Sequence, residues 1–253
     1  HVHPLYKRGG NGDFSHLRDY QDGDSINRLD HKASARLGKW QVREYDYEHE
    51  QPVILMLDAS RRLQSRYKGQ ALFDEQLAAA TRLARAALKS GDEIGLQLYS
   101  DTPKSWLPAS RHGGQYRRLV ETLFDRHADD KPPDYAAAIH DVWCRERRRA
   151  LIILMTVLEP HDGERLRPLL RLLQQRHHVM LVNIRPPWLE DGNDSETRDA
   201  ALENAARDVY ANAFAAAEAR LKQEKLIFVS ARAENLRPQL LNAYLAYKNH
   251  LRH

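Results

Sequence analysis

The chain has 253 residues, 29% of them charged, with a formal net charge of +4 and a pI near 9.1. That length suits one α/β domain with added segments, and the interspersed charges argue against a continuous nucleic-acid track, leaving nucleic acid or an anionic lipid surface as secondary partners to weigh. No apolar run reaches the ~20 residues that cross a bilayer, no signal-peptide pattern is present, and the one cysteine, Cys144, excludes a fold held by internal disulfides.

The sequence opens on His1 rather than methionine, so a longer parent protein is expected. Residues 1 to 50 are polar and rich in turn formers, yet leucines and aromatics recur. They are expected to form an ordered arm lying on a domain that runs from 51 to 253. Within the arm, "QVREYDYEHE" alternates as an extended strand does. "PVILMLD" is a short continuous apolar run, the pattern of a strand buried on both faces. Residues 70 to 90 carry helical spacing and stop at Gly91. "EIGLQLYS" predicts a second strand, and "KSWLPAS" an edge strand that tolerates its proline. Helices are expected over 114 to 126 and 135 to 148, followed by "ALIILMT" as a third core strand. "GERLRPLLRLLQQR" predicts a helix with Pro168 near its first turn. "HVMLVNI" is a fourth strand, residues 197 to 224 an alanine-rich helix with room for an interruption, and "KLIFVSA" a fifth strand. "LRPQLLNAYLAYKNHL" closes the chain as a helix. Strands alternating with helices predict a mostly parallel sheet covered on both faces. Sites in such sheets form where loops leave the carboxyl ends of the strands.

No GxxxxGK[ST] or GxGxxG follows a strand, and there is no GxSxG elbow, which disfavours standard nucleotide binding and hydrolase chemistry. His1 and His3 read as a terminal pair, and His177 and His178 alternate in direction, so neither pair is expected to share a metal. Cys144 is expected to be a small buried apolar group in a helix. Arg145, Arg147, Arg148 and Arg149 suit either an anion patch or a helix C-terminus that attracts cations; the second reading is favoured. Gly113 and Gly114 suit a phosphate nest or, more simply, a loop entering a helix. Asp58 ends the first central strand, and Ser60 follows it. Together they supply two oxygens of the kind Mg²⁺ takes, or else Asp58 caps the following turn with Ser60 assisting.

The run "DFSHLRDYQDGDSINRLDHKASARLGKWQVREYDYE", followed by "PVILMLDAS", resembles the signature of the family called domain of unknown function 58. Arg18, Tyr20, Gly23, Asp24, Lys32, Ser34, Ala35 and Arg36 match it, "SGDEIGLQLYSD" and the final helix look alike, and His31 replaces the usual tryptophan. The resemblance implies a von Willebrand A-like (Rossmann-like) α/β sheet with helices on both faces. It also implies association with MoxR-type AAA+ ATPases and, in longer members, two transmembrane helices ahead of this region. The expected location is therefore a cytoplasmic domain of a protein anchored through a preceding segment. As an alternative to a partner surface, Arg18, Asp19, Asp22, Asp24, Arg28, Asp30 and Arg36 are expected to pin a coiled arm by salt bridges and Asx turns.

A von Willebrand A metal site resembles Asp-x-Ser-x-Ser, a threonine on a middle loop, and an aspartate after a later strand. Asp58 and Ser60 match the first two ligands. Arg62 stands at the third, Pro133 aligns with the threonine, and Val157 follows Thr156 where the aspartate belongs, so three of five oxygen donors are absent. The resulting expectation is no metal and no cofactor, with the guanidinium of Arg62 or Arg61 paired with Asp58; a substitute carboxylate from Asp134 or Glu159 is the alternative. The function expected is a non-enzymatic protein-interaction module using loops 58–69, 129–135 and 156–163, with a MoxR-type ATPase as partner and no nucleic acid. Its alternatives are a metal-dependent enzyme or adhesion-type domain using Asp58 and Ser60, and a basic binder of nucleic acid or anionic lipid.

Overall fold

The computed structural model describes residues 13–21, 29–46, 52–189 and 198–251. Strand β1 (Asp13–Asp19) and strand β2 (Gln41–Asp46) pair antiparallel, with helix α1 (His31–Leu37) between them. Asp30 starts that helix, because its carboxylate accepts from the backbone N–H groups of Lys32 and Ala33 at 3.0 Å. Gly38 ends it at φ +66°, where a Cβ is strained. Ser34 donates to the Asp30 carbonyl at 2.7 Å and accepts from the Gln41 N–H at 2.8 Å, tying the helix to β2. The described arm is thus strand, helix and strand rather than the expected coil. Only Asp30 makes the anticipated Asx turn there. Arg18 donates to the Asp19 carbonyl at 3.1 Å, and Tyr20 N–H donates to the Trp40 carbonyl at 2.9 Å. Lys32, Ala35 and Arg36 are exposed on α1. Gly23 and Asp24, with Asp22, Arg28, His1 and His3, lie outside the described residues.

The main domain runs through β3 (Pro52–Asp58), a small hairpin β4 (Arg66–Tyr67) and β5 (Gln70–Ala71), α2 (Leu72–Lys89), β6 (Glu93–Tyr99), β7 (Pro103–Ser110), α3 (Gln115–Leu123) and α4 (Tyr135–Arg145). It continues through β8 (Leu151–Thr156), α5 (Asp162–Gln174), β9 (His178–Arg185), α6 (Arg198–Lys222), β10 (Ile227–Arg232) and α7 (Leu236–Leu251). Among the described residues six strands form one sheet in the order β10-β9-β8-β3-β6-β7, parallel throughout except for β7, which runs antiparallel along the β6 edge. The edge position explains why β7 tolerates Pro103 and Pro108.

Alternation of side chains along β3 divides the core. Val53, Leu55 and Leu57 face a layer made by α2, α3 and α7, and Ile54 and Met56 face α4, α5 and α6. Burial on both sides is why β3 and β8 read as unbroken apolar runs. The final helix is fastened where β6 begins: Lys248 Nζ donates to Asp92 Oδ1 at 2.5 Å, and the Tyr244 hydroxyl donates to the same buried carboxylate. Helix α6 is continuous, without the interruption allowed for. Pro168 is a correction, because it stands in the middle of α5 on its solvent side rather than near the first turn. An outward carbonyl can turn to water there when the proline N–H is missing. Cys144 is a second correction. It is exposed, because α4 buries Val142 and two further residues rotate Cys144 to the opposite face.

Gly95 sits in β6 where the β7 register shifts. A Cβ there would lie 2.7 Å from Ile54 Cδ1, 2.8 Å from Ala109 N and 2.9 Å from the Leu107 carbonyl oxygen. Two of these atoms are backbone and cannot step aside. Gly95→Ala is expected to cost ~1–3 kcal/mol in urea unfolding; an unchanged midpoint would show that the edge strand moves freely.

Candidate functional site

β3 lies between β6 and β8, so its last residue, Asp58, emerges at the middle of the carboxyl end of the sheet. The next residues are stitched to the loop before α4: Asp129 N–H donates to the Ala59 carbonyl at 2.8 Å, and Arg61 N–H to the Lys131 carbonyl at 2.9 Å. Asp58 is fully buried. Its Oδ1 accepts from the Ser60 N–H at 2.7 Å, and its Oδ2 accepts from the Thr156 hydroxyl at 2.5 Å. Gln76 of α2 donates to its carbonyl at 2.8 Å. Ser60 Oγ accepts from the Arg62 N–H at 3.4 Å and caps a single 3₁₀ turn, Arg61–Gln64. The local structure is therefore the turn that Asp58 caps and Ser60 assists, one of the two readings of this stretch.

The 3₁₀ turn sends Arg62 inward. Its side chain is 6% exposed and pairs with Asp162 at the start of α5 and with Glu159 Oε2 at 2.9 Å. The same guanidinium donates to the Val157 carbonyl at 3.1 Å and to the Tyr135 hydroxyl at 2.8 Å. It therefore does not pair directly with Asp58, as the sequence had led one to expect. Two hydroxyls connect them instead. Tyr135 Oη and Thr156 Oγ1 lie 3.0 Å apart. An ionised carboxylate only accepts, so Thr156 spends its proton on Asp58, Tyr135 donates to Thr156, and Tyr135 accepts from Arg62. The chain from Arg62 through Tyr135 and Thr156 to Asp58 carries one consistent direction of donation.

Burial pushes the Asp58 carboxyl up to about 6, against the lowering effect of the Thr156 and Ser60 hydrogen bonds and of the Arg62 charge. Burial likewise raises the Tyr135 and Tyr99 phenols well above their usual range, so both stay protonated. Burial works against the Arg62 charge, but Tyr135, Asp162 and Glu159 outweigh it and hold the guanidinium above its ordinary value.

The other sequence candidates fall around this centre. Asp134 caps α4, accepting from Ala137 N–H at 2.9 Å, and its backbone N–H donates to the Ser100 carbonyl at 2.7 Å. Pro133 is half-buried beside it. Val157 participates through its carbonyl rather than a carboxylate, and Glu159 faces Arg62 rather than an ion. Arg61 is exposed and is not among the groups that hydrogen-bond the Asp58 carboxylate. Sequence reasoning missed Tyr135 and Asp162. The only available signal was their position, each opening a helix after a carboxyl-end loop.

A divalent cation does not fit these residues while Arg62 is in place. Both Asp58 oxygens are engaged by Ser60 and Thr156, both Asp162 oxygens face the guanidinium, and that fixed positive charge would repel a second cation. Among the described residues no group of three or more His, Cys, Asp or Glu side chains converges to hold an ion.

A family model described as "Protein of unknown function DUF58" matches residues 16–216, and the chain belongs to that family. An uncharacterized protein of Mycobacterium tuberculosis is 29% identical over 218 residues, covering 79% of this chain and 66% of its own length, so the chain spans just under two thirds of that relative. Two solved structures share the fold. An aerotolerance-related membrane protein of Bacteroides fragilis aligns with a TM-score of 0.50 at 12% identity, over 79% of this chain and 98% of that one. The conserved hypothetical protein BatB of Bacteroides thetaiotaomicron aligns with a TM-score of 0.50 at 14% identity, over the same shares. The architecture is von Willebrand A-like: a mostly parallel six-stranded sheet between two helical layers.

Truncating Arg62 to alanine leaves Asp162 buried without its cation, so Arg62→Ala is expected to lose ~3–5 kcal/mol in chemical unfolding. A loss below 1 kcal/mol would mean that the pairing is dispensable. Asp58 gives a pH signature. Its folded value of about 6 lies above the ordinary carboxyl value of 3.8 that the unfolded chain has, so its stabilising contribution is full below the unfolded value and is lost as pH rises through about 6. Between pH 7 and pH 5 the native protein should gain ~1–1.5 kcal/mol relative to Asp58→Asn. Parallel stability profiles for the two proteins would contradict this.

Proposed function

We propose that this member of the DUF58 family is a non-enzymatic protein-interaction module. It docks its partner on the carboxyl-end loops 58–69, 129–135 and 156–163, without a bound metal. One observation carries the reading: Arg62 ties the β3, β8 and α4 ends and the start of α5 into a fixed surface using only groups of this chain. A surface held this way is preorganised and spends little ordering entropy on binding. The partner class proposed is a MoxR-type AAA+ ATPase, which the family resemblance supplies. The parent protein is proposed to be membrane-anchored with this domain in the cytoplasm. Among the described residues no helix is long and apolar enough to cross a membrane.

A second reading, a metal-dependent enzyme or adhesion-type domain using Asp58 and Ser60, has one observation in its favour. Asp58 is poised near neutrality, as catalytic acids and bases are. Weighing against it, Asp58 has no solvent exposure, and its oxygens are committed to Ser60 and Thr156. The third reading, a basic binder of nucleic acid or anionic lipid, keeps Arg147 and Arg149 as exposed charges but is weakened at the other two arginines of the run. Arg145 pairs with Asp141 at 2.7 Å and Arg148 with Glu93 at 2.7 Å, so those charges serve the fold.

Affinity purification of the full-length protein from its native host tests the proposal. An AAA+ ATPase is expected to co-purify, to persist in EDTA, and to be lost in Arg61→Glu, whose melting temperature should stay unchanged because Arg61 is exposed. Recovery that EDTA abolishes would favour the metal-dependent reading. Recovery unaffected by both Arg61→Glu and Lys131→Glu would move the docking surface away from these loops.

A further inference from the structure

The arm motif divides into residues that hold the arm and residues that hold nothing in this chain. Asp30 and Ser34 belong to the first group, since they cap α1 and tie it to β2. Lys32 and Arg36 belong to the second. Both are exposed, and neither side chain makes an ion pair or a hydrogen bond among the described residues. The salt bridge expected of Arg36 is therefore absent there. The two cations stand four residues apart on one face of α1, where like charges repel. No acidic residue stands in the first turn of α1 to offset them. Asp30 and Asp19 have other partners. Asp30 accepts from the backbone N–H groups of Lys32 and Ala33, and Asp19 accepts from Gln41 Nε2 at 2.6 Å and lies 3.8 Å from Lys39 Nζ.

The two cations also share a recess. A cavity of ≈ 430 Å³ between α1 and β1 is lined by Lys32 and Arg36 together with Asp30, Leu17, Ala33 and Leu37. Helix α1 buries none of its residues, and Leu37 is 61% exposed. One hollow thus combines two uncompensated cations with an apolar wall that the arm leaves open. A carboxylate fits the fork of a guanidinium, and an ammonium adds a second charge-assisted donor. An apolar group beside that carboxylate would displace water from Leu17 and Leu37. Phosphate-rich surfaces fit less well. A bilayer surface meets protruding groups before it meets a recess, and a nucleic-acid footprint needs a longer basic stripe than two side chains. The Asp30 carboxylate in the same lining also repels a dianionic phosphate more than a single carboxylate.

We propose that the recess between α1 and β1 docks an acidic segment of a protein partner, one that carries a carboxylate beside an apolar side chain. Arg36 and Lys32 hold the carboxylate, and Leu17 and Leu37 receive the apolar group. This surface is built from the arm alone, so it stands whether or not the carboxyl-end loops dock the partner proposed above.

The test is an NMR titration of the full chain, read at the backbone amides of Ala33 and Leu37. The probe is a blocked hexapeptide of alternating glutamate and leucine. Two control peptides replace its glutamates with lysine or its leucines with serine. The glutamate–leucine peptide is expected to shift both amides saturably and to bind roughly tenfold tighter than either control. Arg36→Glu and Lys32→Glu should each weaken it by roughly tenfold, without lowering the melting temperature, because both side chains are exposed. The absence of any shift overturns the proposal, as does equal affinity for either control or unchanged affinity in both charge variants. Sedimentation with phosphatidylserine vesicles covers the lipid alternative. Vesicle binding that Arg36→Glu abolishes, with the peptide inert, overturns the proposal and assigns the recess to an anionic lipid surface.

Discussion

A guanidinium buried at the carboxyl end of a parallel sheet has to be neutralised, and most of the local structure follows from that requirement. Taking an arginine out of water costs several kcal/mol unless its charge and donors are met. Arg62 meets Asp162, Glu159, the Val157 carbonyl and the Tyr135 hydroxyl, groups from one loop and two helices up to 100 residues away in sequence. Buried ion pairs of this kind add less to net stability than apolar packing would, but they penalise every arrangement in which the partners separate. The consequence here is register: the β3 loop, the end of β8, α4 and α5 hold one geometry together.

That geometry also sets the chemistry of Asp58. The two-hydroxyl chain leaves the carboxylate half-compensated at a distance, so burial dominates and the group sits near neutrality. The opposite end of the sheet behaves the other way. Burial pulls His177 and His178 down to about 4, and both ring nitrogens of His177 lack hydrogen-bond partners among the described residues. A histidine buried neutral contributes stability above its unfolded value near 6.5 and loses it as pH falls toward 4. Acidification thus relieves the carboxyl end of the sheet while loading the amino end, and the two effects oppose each other in the whole-protein profile.

Much of the fold was legible because its signals are local. Continuous apolar runs marked β3, β8 and β9, the proline-bearing segment marked the edge strand β7, and Gly91, at φ +86°, marked the end of α2. Asp58, Ser60 and Arg62 were legible as an unusual string at the end of a strand. Their partners were not, because Tyr135 and Asp162 approach Arg62 only through the sheet topology. The direct Arg62–Asp58 contact failed for a reason of direction. The serine-capped 3₁₀ turn points the side chain across the strand ends toward α5 rather than back at β3. Cys144 failed on helix phase, since two residues separate a buried face from an exposed one. The arm motif was legible as a pattern, yet the antiparallel pairing of β1 with β2 across some twenty residues carried no short-range signal.

Arg62 is proposed to supply the positive charge at this position in place of a divalent ion. Thermal unfolding of the native protein across a titration of Mg²⁺ and Mn²⁺ tests it most directly, with Asp58→Ala measured alongside. The melting temperature is expected not to respond to either ion. Saturable stabilisation of the native protein that disappears in Asp58→Ala would contradict it.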